Sequence, residues 1–305
     1  MRLIYAGTPE VAVPGLRSLL ASRHDVVTVV TRQDAPLGRK RVLTPSPVAT
    51  AASEAGIPVI KANRLDEAVT SELEALDADL GVIVAYGGLV REPLLSAPRL
   101  GWVNLHFSLL PAWRGAAPVQ HALIAGETVT GASVFRLVPE LDAGDLMASE
   151  PYAIDPDATA GDVLADLSVA GAELLTRTVD ALEDGTAAAR PQAGEVTFAP
   201  KLGIEDARLD FTRDAEQVYA RFRGVTPEPG AFAEAEGVRV KIHEARRAPG
   251  RSVDPGLVVL DGRRVLVGTA TSAIELITVQ PAGKPRMRAA DWWRGHSSHG
   301  EVRFA

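Results

Sequence analysis

Cysteine is absent from this 305-residue chain. Disulfides, thiolate nucleophiles and zinc–thiolate sites are excluded with it. Also missing is any apolar run of membrane-spanning length. The longest, VVTVV at 26–30 and LGVIVAY at 80–86, are the length of strands. The N-terminal MRLIYAGTPE reads as a strand and a turn, without the apolar stretch of a secretory leader. No internal repeat and no low-complexity tract is present. These absences lead to the expectation of a cytoplasmic protein with no membrane segment. What is present, 46% hydrophobic and 23% charged residues, suits a folded chain with a substantial core, in one large domain or two ordinary ones.

Charge is unevenly spread. Residues 1–206 hold 16 Lys and Arg against 27 Asp and Glu, whereas residues 207–305 hold 16 against 12. A basic tail on an acidic body is what a contact between one part of the chain and a polyanion requires, although a solvated surface with a chance imbalance gives the same count.

Apolar runs at 2–6, 25–31, 58–61, 78–86 and 102–107 predict strands. Helical patterns at 46–56 and 65–76, and a long one at 159–184, alternate with them. Thr8 is a candidate cap with Pro9 at the first helical position, and Ser46 with Pro47 repeats the arrangement. Strands and helices at this spacing predict an α/β fold with a doubly wound, mainly parallel sheet over residues 1–185. Residues 186–206, rich in Gly, Pro and Ala, read as a linker. From 207 to 305, RVKIHEA, GLVVLDG, RRVLVGTA and AIELITVQ alternate in short runs separated by turn signals, which predicts a small all-β barrel.

Unlike side chains crowd into NLHFSLLPAWRGAAPVQHAL, residues 104–123. Ligands of a doubly wound sheet bind beyond the carboxyl ends of its strands. Asn104 and His106 stand at such an end, two residues apart and so on one face. A core histidine satisfied by a backbone carbonyl is the competing reading of His106, but a second polar side chain on the same face also needs a partner. Asp142 and Asp145, after the strand at 132–138, are the carboxylate candidates, and either would also serve as an ordinary turn cap. If that strand neighbours 102–107, its exit loop brings Asp142 to His106. Such a pair orients the imidazole and favours its protonated form. Ser108 lacks the G-x-S-x-G elbow of a serine hydrolase, and His106, His121 and Asp142 lack zinc-ligand spacing. What remains is direct acyl transfer to an amine, with Asn104 and His106 donating to the developing oxyanion and His106 with Asp142 handling the proton.

The run N-L-H-F-S-L-L-P-A-W-R-G resembles the signature of the folate-dependent formyltransferases. Its extension through GAAPVQ, with AGTPE at 6–10, PSPV at 45–48, VAYG at 84–87, LDAGD at 141–145 and QPAGK at 280–284, resembles the members that act on methionyl-tRNA. The resemblance covers nearly the whole chain. It implies Asn104, His106 and Asp142 as the catalytic trio, 10-formyltetrahydrofolate as donor, no metal, and methionyl initiator tRNA as acceptor to a monomeric enzyme. It implies a folate site lined by Ser108, Leu109, Leu110 and Pro111, with Tyr86 and Leu89 helping to hold the pterin. Gly88 departs from the bulkier apolar residue usual in that wall. In the resembled family the loop at 32–47 enters the acceptor stem, so Arg39, Lys40 and Arg41 are implied tRNA contacts, and the basic barrel a grip on the backbone. A transferase acting on a small amine, an amino sugar or glycinamide ribonucleotide, is the alternative. A non-catalytic RNA-binding protein on the same fold is opposed by the intact trio.

Overall fold

The apolar run Arg2–Gly7 forms β1, an interior strand of a seven-stranded sheet. The computed structural model describes residues 1–38, 40–296 and 301–305. They form two units: Met1–Pro118, Val129–Ala153 and Leu164–Ala199 make the first, and Val119–Thr128, Ile154–Val163 and Pro200–Ala305 the second.

In the first unit β1 leads through α1 (Val13–Leu20) to β2 (Asp25–Thr31) and then a hairpin of β3 (Ala35–Leu37) and β4 (Val42–Thr44). Next come α2 (Pro47–Glu54), β5 (Val59–Lys61), α3 (Glu67–Glu74), β6 (Leu80–Val84), β7 (Trp102–His106) and the short β8 (Arg114–Gly115). Beyond α4 (Pro118–Ile124) lie β9 (Val129–Arg136), β10 (Leu146–Ala153), α5 (Ala160–Glu183) and the short β11 (Phe198–Ala199). The strand order is β10-β9-β7-β6-β1-β2-β5. The five strands from β7 to β5 are parallel; β9 pairs antiparallel with β7, and β10 antiparallel with β9. All five residues of β6 are buried, as expected of a strand covered on both faces. On one face Ile4, Ala6 and Ile83 pack with Leu73 of α3 and with Leu94. On the other, α5 lies close enough that Gly15 of α1 sits against Leu175 and Gly171 against Leu105.

Two cap expectations resolve differently. Ser46 Oγ accepts from the Ala49 N–H at 3.0 Å with Pro47 beginning α2, as the pattern predicts. Thr8 does not cap a helix: a 3₁₀ turn at Glu10–Ala12 intervenes, and the Thr8 hydroxyl donates to the Tyr86 carbonyl at 3.0 Å. The segment 32–47, read as a loop, contains the β3–β4 hairpin.

The second unit contains a nearly closed antiparallel barrel, and it is not all β. Helix α6 (Ala215–Gly224) precedes β12 (Phe232–Ala235), β13 (Val238–Ala248), β14 (Leu257–Asp261), β15 (Arg264–Gly268), β16 (Ala273–Pro281) and β17 (Met287–Arg288). Helix α7 (Ala289–His296) and β18 (Val302–Arg303) end the chain. The order is β12-β13-β16-β15-β14-β18, with β17 on β16. A bridge between Ala235 and Phe304 joins the two ends. Asp214 caps α6, whose Val218 and Phe222, four residues apart, enter the barrel core. Phe304 is stacked between Phe211 and Trp292, each at 5.5 Å between centroids.

Tyr86 belongs to the core of the first unit. It is 1% exposed, and its hydroxyl donates to the Ala62 carbonyl at 2.7 Å. Burial pushes its pKa up. A Cβ on Gly88 would approach the Tyr86 ring to 2.4 Å, which accounts for glycine at that position. The Tyr86 ring, expected to help line a ligand site, packs here in the core, while Leu89 is exposed at the strand end. Tyr86→Phe leaves the Ala62 carbonyl without its partner and is expected to cost about 1–2 kcal/mol, read as a lower urea midpoint.

Candidate active site

β7 ends between β6 and β9, and Asn104 and His106 point to one of its faces, opposite Phe135 and Ser133 of β9. His106 is 7% exposed and meets the Phe135 ring edge-on, centroids 6.4 Å apart. Its Nε2 lies 2.9 Å from the Trp113 carbonyl. A carbonyl only accepts, so Nε2 carries the hydrogen and the neutral ring keeps its lone pair on Nδ1. That Nδ1 is 3.9 Å from Asp142 Oδ2, an ion-pair separation beyond hydrogen-bond reach. Burial pushes the His106 pKa down, and this outweighs the upward pull of Asp142 and of the Trp113 carbonyl. Asp142 favours the protonated imidazole, as expected of such a pair, but burial is the larger influence, and it is the Trp113 carbonyl that orients the ring. Beside it, the Asn104 Oδ1, an acceptor, is buried with no hydrogen-bond partner among the described residues.

Asp142 arrives by an unexpected route. β9 runs antiparallel to β7, so its last residue, Arg136, lies beside Val103 at the start of β7. The loop must fold back to carry Asp142 to His106. It does so with Asp142 in the left-handed region, φ 47°, and with Gly144 pressed against the Arg136 carbonyl, where a Cβ would come within 1.8 Å. The Asp142 carboxylate accepts from the Gly115 N–H at 2.8 Å. The exposed Asp145 instead supplies its backbone carbonyl to the Arg136 N–H. Ala85 and Trp113, in the segments after β6 and β7, share the left-handed conformation of Asp142.

Segment 190–199, within the stretch read as a linker, is bound along its length to these loops. Arg190 exchanges backbone hydrogen bonds with Leu146, and β11 pairs with β8. Thr197 Oγ1 accepts from the Trp113 N–H at 2.9 Å. Gln192 Nε2 donates to the carbonyls of Asp142 and Gly144 at 2.7 and 2.9 Å, while its Oε1 accepts from Arg114 at 3.1 and 2.6 Å. Neither Gln192 nor Thr197 carries a sequence signal, since a polar residue in a Gly/Pro-rich run reads as loop.

The remaining candidates separate. Ser108 is fully buried and its hydroxyl donates to the Ala112 carbonyl at 2.6 Å, so its side chain shapes the turn rather than facing a ligand. Leu110 and Pro111 are also buried, and Leu109 is half-buried. Lys40 and Arg41 are exposed at the β3–β4 turn, flanked by exposed Leu37 and Val42. Arg39 lies outside the described residues. Arg32, at the root of this segment, donates to the Gly87 carbonyl at 3.0 Å. No group of three or more His, Asp or Glu is gathered in metal-binding fashion among the described residues.

The cations of the second unit divide into engaged and free. Arg208 and Arg213 pair with Glu234 and Asp210, Arg221 donates to the Asp206 carbonyl, and Arg223 to that of Ala158. Lys241, Lys284, Arg286 and Arg288 make no ion pair among the described residues. His243 donates to Gln280 Oε1 at 3.0 Å, and Gln280 in turn donates to the Lys284 carbonyl. Burial pushes the His243 pKa down, and the neighbouring charges of Arg286 and Lys241 add to it against the Gln280 bond. Lys241 and Arg286 therefore flank one histidine on the barrel.

Comparison with known proteins agrees with this geometry. The family described as "Formyl transferase" matches residues 1–179, and "Formyl transferase, C-terminal domain" matches residues 201–297. A methionyl-tRNA formyltransferase of Leifsonia xyli subsp. xyli is 64% identical over 295 residues, covering 97% of each chain. Among solved structures, the sugar 3N-formyl transferase WlaRD, in the presence of dTDP and 5-N-formyl-THF, is similar with a TM-score of 0.69 and 15% identity over 93% of this chain and 99% of that one. A methionyl-tRNA formyltransferase from Clostridium thermocellum has a TM-score of 0.59 and 15% identity over 82% of this chain and 95% of that one. The structural likenesses carry the fold alone; the sequence matches carry more, and by them the chain belongs to the formyl transferase family, grouping there with the methionyl-tRNA formyltransferases.

Proposed function

We propose that this chain transfers a formyl group from 10-formyltetrahydrofolate to the α-amino group of methionine on initiator tRNA, in the cytoplasm. The observation that carries this reading is the group at the end of β7: the buried Asn104 Oδ1, an acceptor without a partner among the described residues, beside a neutral imidazole whose Nδ1 faces a carboxylate 3.9 Å away. A buried acceptor left without a partner is costly unless a ligand completes it, which fits a substrate N–H, such as that of the attacking amine, at this place. The folate, when bound, supplies an activated one-carbon unit.

The chain's own residues supply the rest. Asn104 offers its amide to a carbonyl oxygen as that oxygen gains negative charge, and a fixed donor of this kind is worth about 10²-fold or more in rate. His106 takes the proton of the attacking amine at Nδ1, and burial keeps it free to do so. The imidazolium so formed turns an N–H toward Asp142, whose charge favours it. As the new carbon–nitrogen bond forms, the bond from the formyl carbon to the folate nitrogen breaks, and His106 returns the proton to that departing nitrogen. With Nε2 engaged by Trp113, His106 is better suited to accept a proton than to share the oxyanion with Asn104. The named relatives support the tRNA acceptor, as do the exposed Lys40 and Arg41 and the free cations beside His243, which suit phosphate contacts. A small-amine acceptor would leave those cations without a role.

Purified protein is expected to formylate charged initiator tRNA and, far more slowly, charged elongator tRNA. Activity on amino sugars with none on tRNA would overturn the reading. His106→Ala and Asp142→Asn should each lower kcat by about 10²-fold or more while tRNA binding persists. With His106 as base, kcat/KM falls as pH drops through a pKa below the ordinary value of about 6.5. Removing the Asp142 charge moves that acid limb lower still, and a limb moving upward would remove Asp142 from its role. Replacing Lys40 and Arg41 together by Ala should weaken tRNA binding and reduce the slope of log K against log salt by about 1.5; an unchanged slope would return the hairpin tip to plain solvent.

A further inference from the structure

We infer that Gln192 is a positioning residue for the transfer reaction, acting through Asp142; the inference rests on the reading of Asp142 given above. The argument begins with the amide itself. A glutamine side chain has two donor hydrogens and two acceptor lone pairs, and here all four are used. Both hydrogens go to carbonyls of the loop that carries Asp142, those of Asp142 and Gly144. Both lone pairs receive hydrogens from Arg114. The orientation of the amide is not open to choice, because a guanidinium only donates and a carbonyl only accepts.

The two loops so joined are those that make the His106–Asp142 relation. Arg114 sits between Trp113, whose carbonyl orients His106, and Gly115, whose N–H holds the Asp142 carboxylate. Gln192 therefore ties the backbone of the carboxylate to the segment that fixes the imidazole. The Asp142 backbone it grips is in the left-handed region, where a non-glycine residue persists only if its surroundings hold it. Loss of the grip would let that residue relax toward ordinary φ and carry its carboxylate away from Nδ1. Gln192 is half-buried, and its side-chain hydrogen bonds run to Arg114 and to the Asp142 and Gly144 carbonyls, not to His106 or Asn104, so its effect is expected to pass through Asp142.

The test uses the full-length protein and four variants: Gln192→Ala, Gln192→Glu, Asp142→Asn, and Gln192→Ala with Asp142→Asn. Gln192→Glu keeps size and the Arg114 pair but turns an acceptor on both carbonyls, so it tests the grip if Gln192→Ala fails to fold. The titration of the His106 ring is followed by NMR, with its signal identified from His106→Ala, alongside kcat and KM. Both Gln192 variants are expected to move the His106 midpoint down, in the direction of Asp142→Asn. They should lower kcat by about 10- to 100-fold with both KM values within about threefold. The double variant should be no slower than Asp142→Asn alone, as expected of residues acting as a unit. A simple structural staple would lower Tm and leave midpoint and kcat where they are. That result in folded Gln192→Glu overturns the inference, as do losses that multiply in the double variant. If the midpoint moves in all three single variants while none of them, Asp142→Asn included, changes kcat, Gln192 still positions Asp142, and it is the assignment of Asp142 to the chemistry that fails.

Discussion

The site depends on where the buried imidazole of His106 puts its single proton. The Trp113 carbonyl takes it on Nε2, which leaves Nδ1 as the only basic atom and aims it at Asp142. That carbonyl is itself placed by a residue in the left-handed region whose N–H is held by Thr197. Asp142, in the same conformation, is held by Gly115 and Gln192. A non-glycine residue in that region costs on the order of 1 kcal/mol or more, and a hydrogen bond contributes roughly 1 kcal/mol. Each strained residue at the site is met by at least one such bond from a separate stretch of chain. Four segments, at 104–106, 113–115, 142–144 and 192–197, therefore act as one structure.

The electrostatics follow from the same geometry. A carboxylate in direct hydrogen-bond contact with Nδ1 would favour the imidazolium at rest, and a base already protonated accepts nothing. At 3.9 Å, with the ring buried, desolvation prevails and the ring rests neutral. The same carboxylate is still near enough to stabilise the charge once a proton arrives. Burial and charge thus oppose each other at this imidazole.

Much of this was legible in the sequence, and the limits are physical. A period of two places Asn104 and His106 on one face without further information. Unalternating apolar runs mark β6 as a strand covered on both sides. Strand direction, by contrast, leaves no mark on an apolar pattern, so the antiparallel pairing of β9, and with it the folded-back path to Asp142, could not be read. Tyr86 at a strand end suits a core or a ligand wall equally until the Ala62 carbonyl is seen to take its hydroxyl. Gln192 bonds to backbone carbonyls, which have no sequence identity at all. Helix α6 was missed although Asp214 and the Val218–Phe222 spacing announce it, because short strand-like runs dominate the tail.

Charge totals mislead in a similar way. The positive balance of residues 207–305 does not measure a binding surface, since Arg208, Arg213, Arg247, Arg251 and Arg264 are all in ion pairs. Such exposed pairs add little stability, but they remove their cations from competition for phosphate. Of the cations outside any ion pair among the described residues, Lys241, Lys284, Arg286 and Arg288 lie together on β13 and on the chain from β16 into β17. There the register sets Lys241 beside Gln280 and Arg288 beside Thr278. Burial, with the charges of Arg286 and Lys241 added to it, pushes the His243 pKa down against the Gln280 bond and the charge of Glu244. On this surface it is the small unpaired set, not the larger total, that would respond to a nucleic acid backbone.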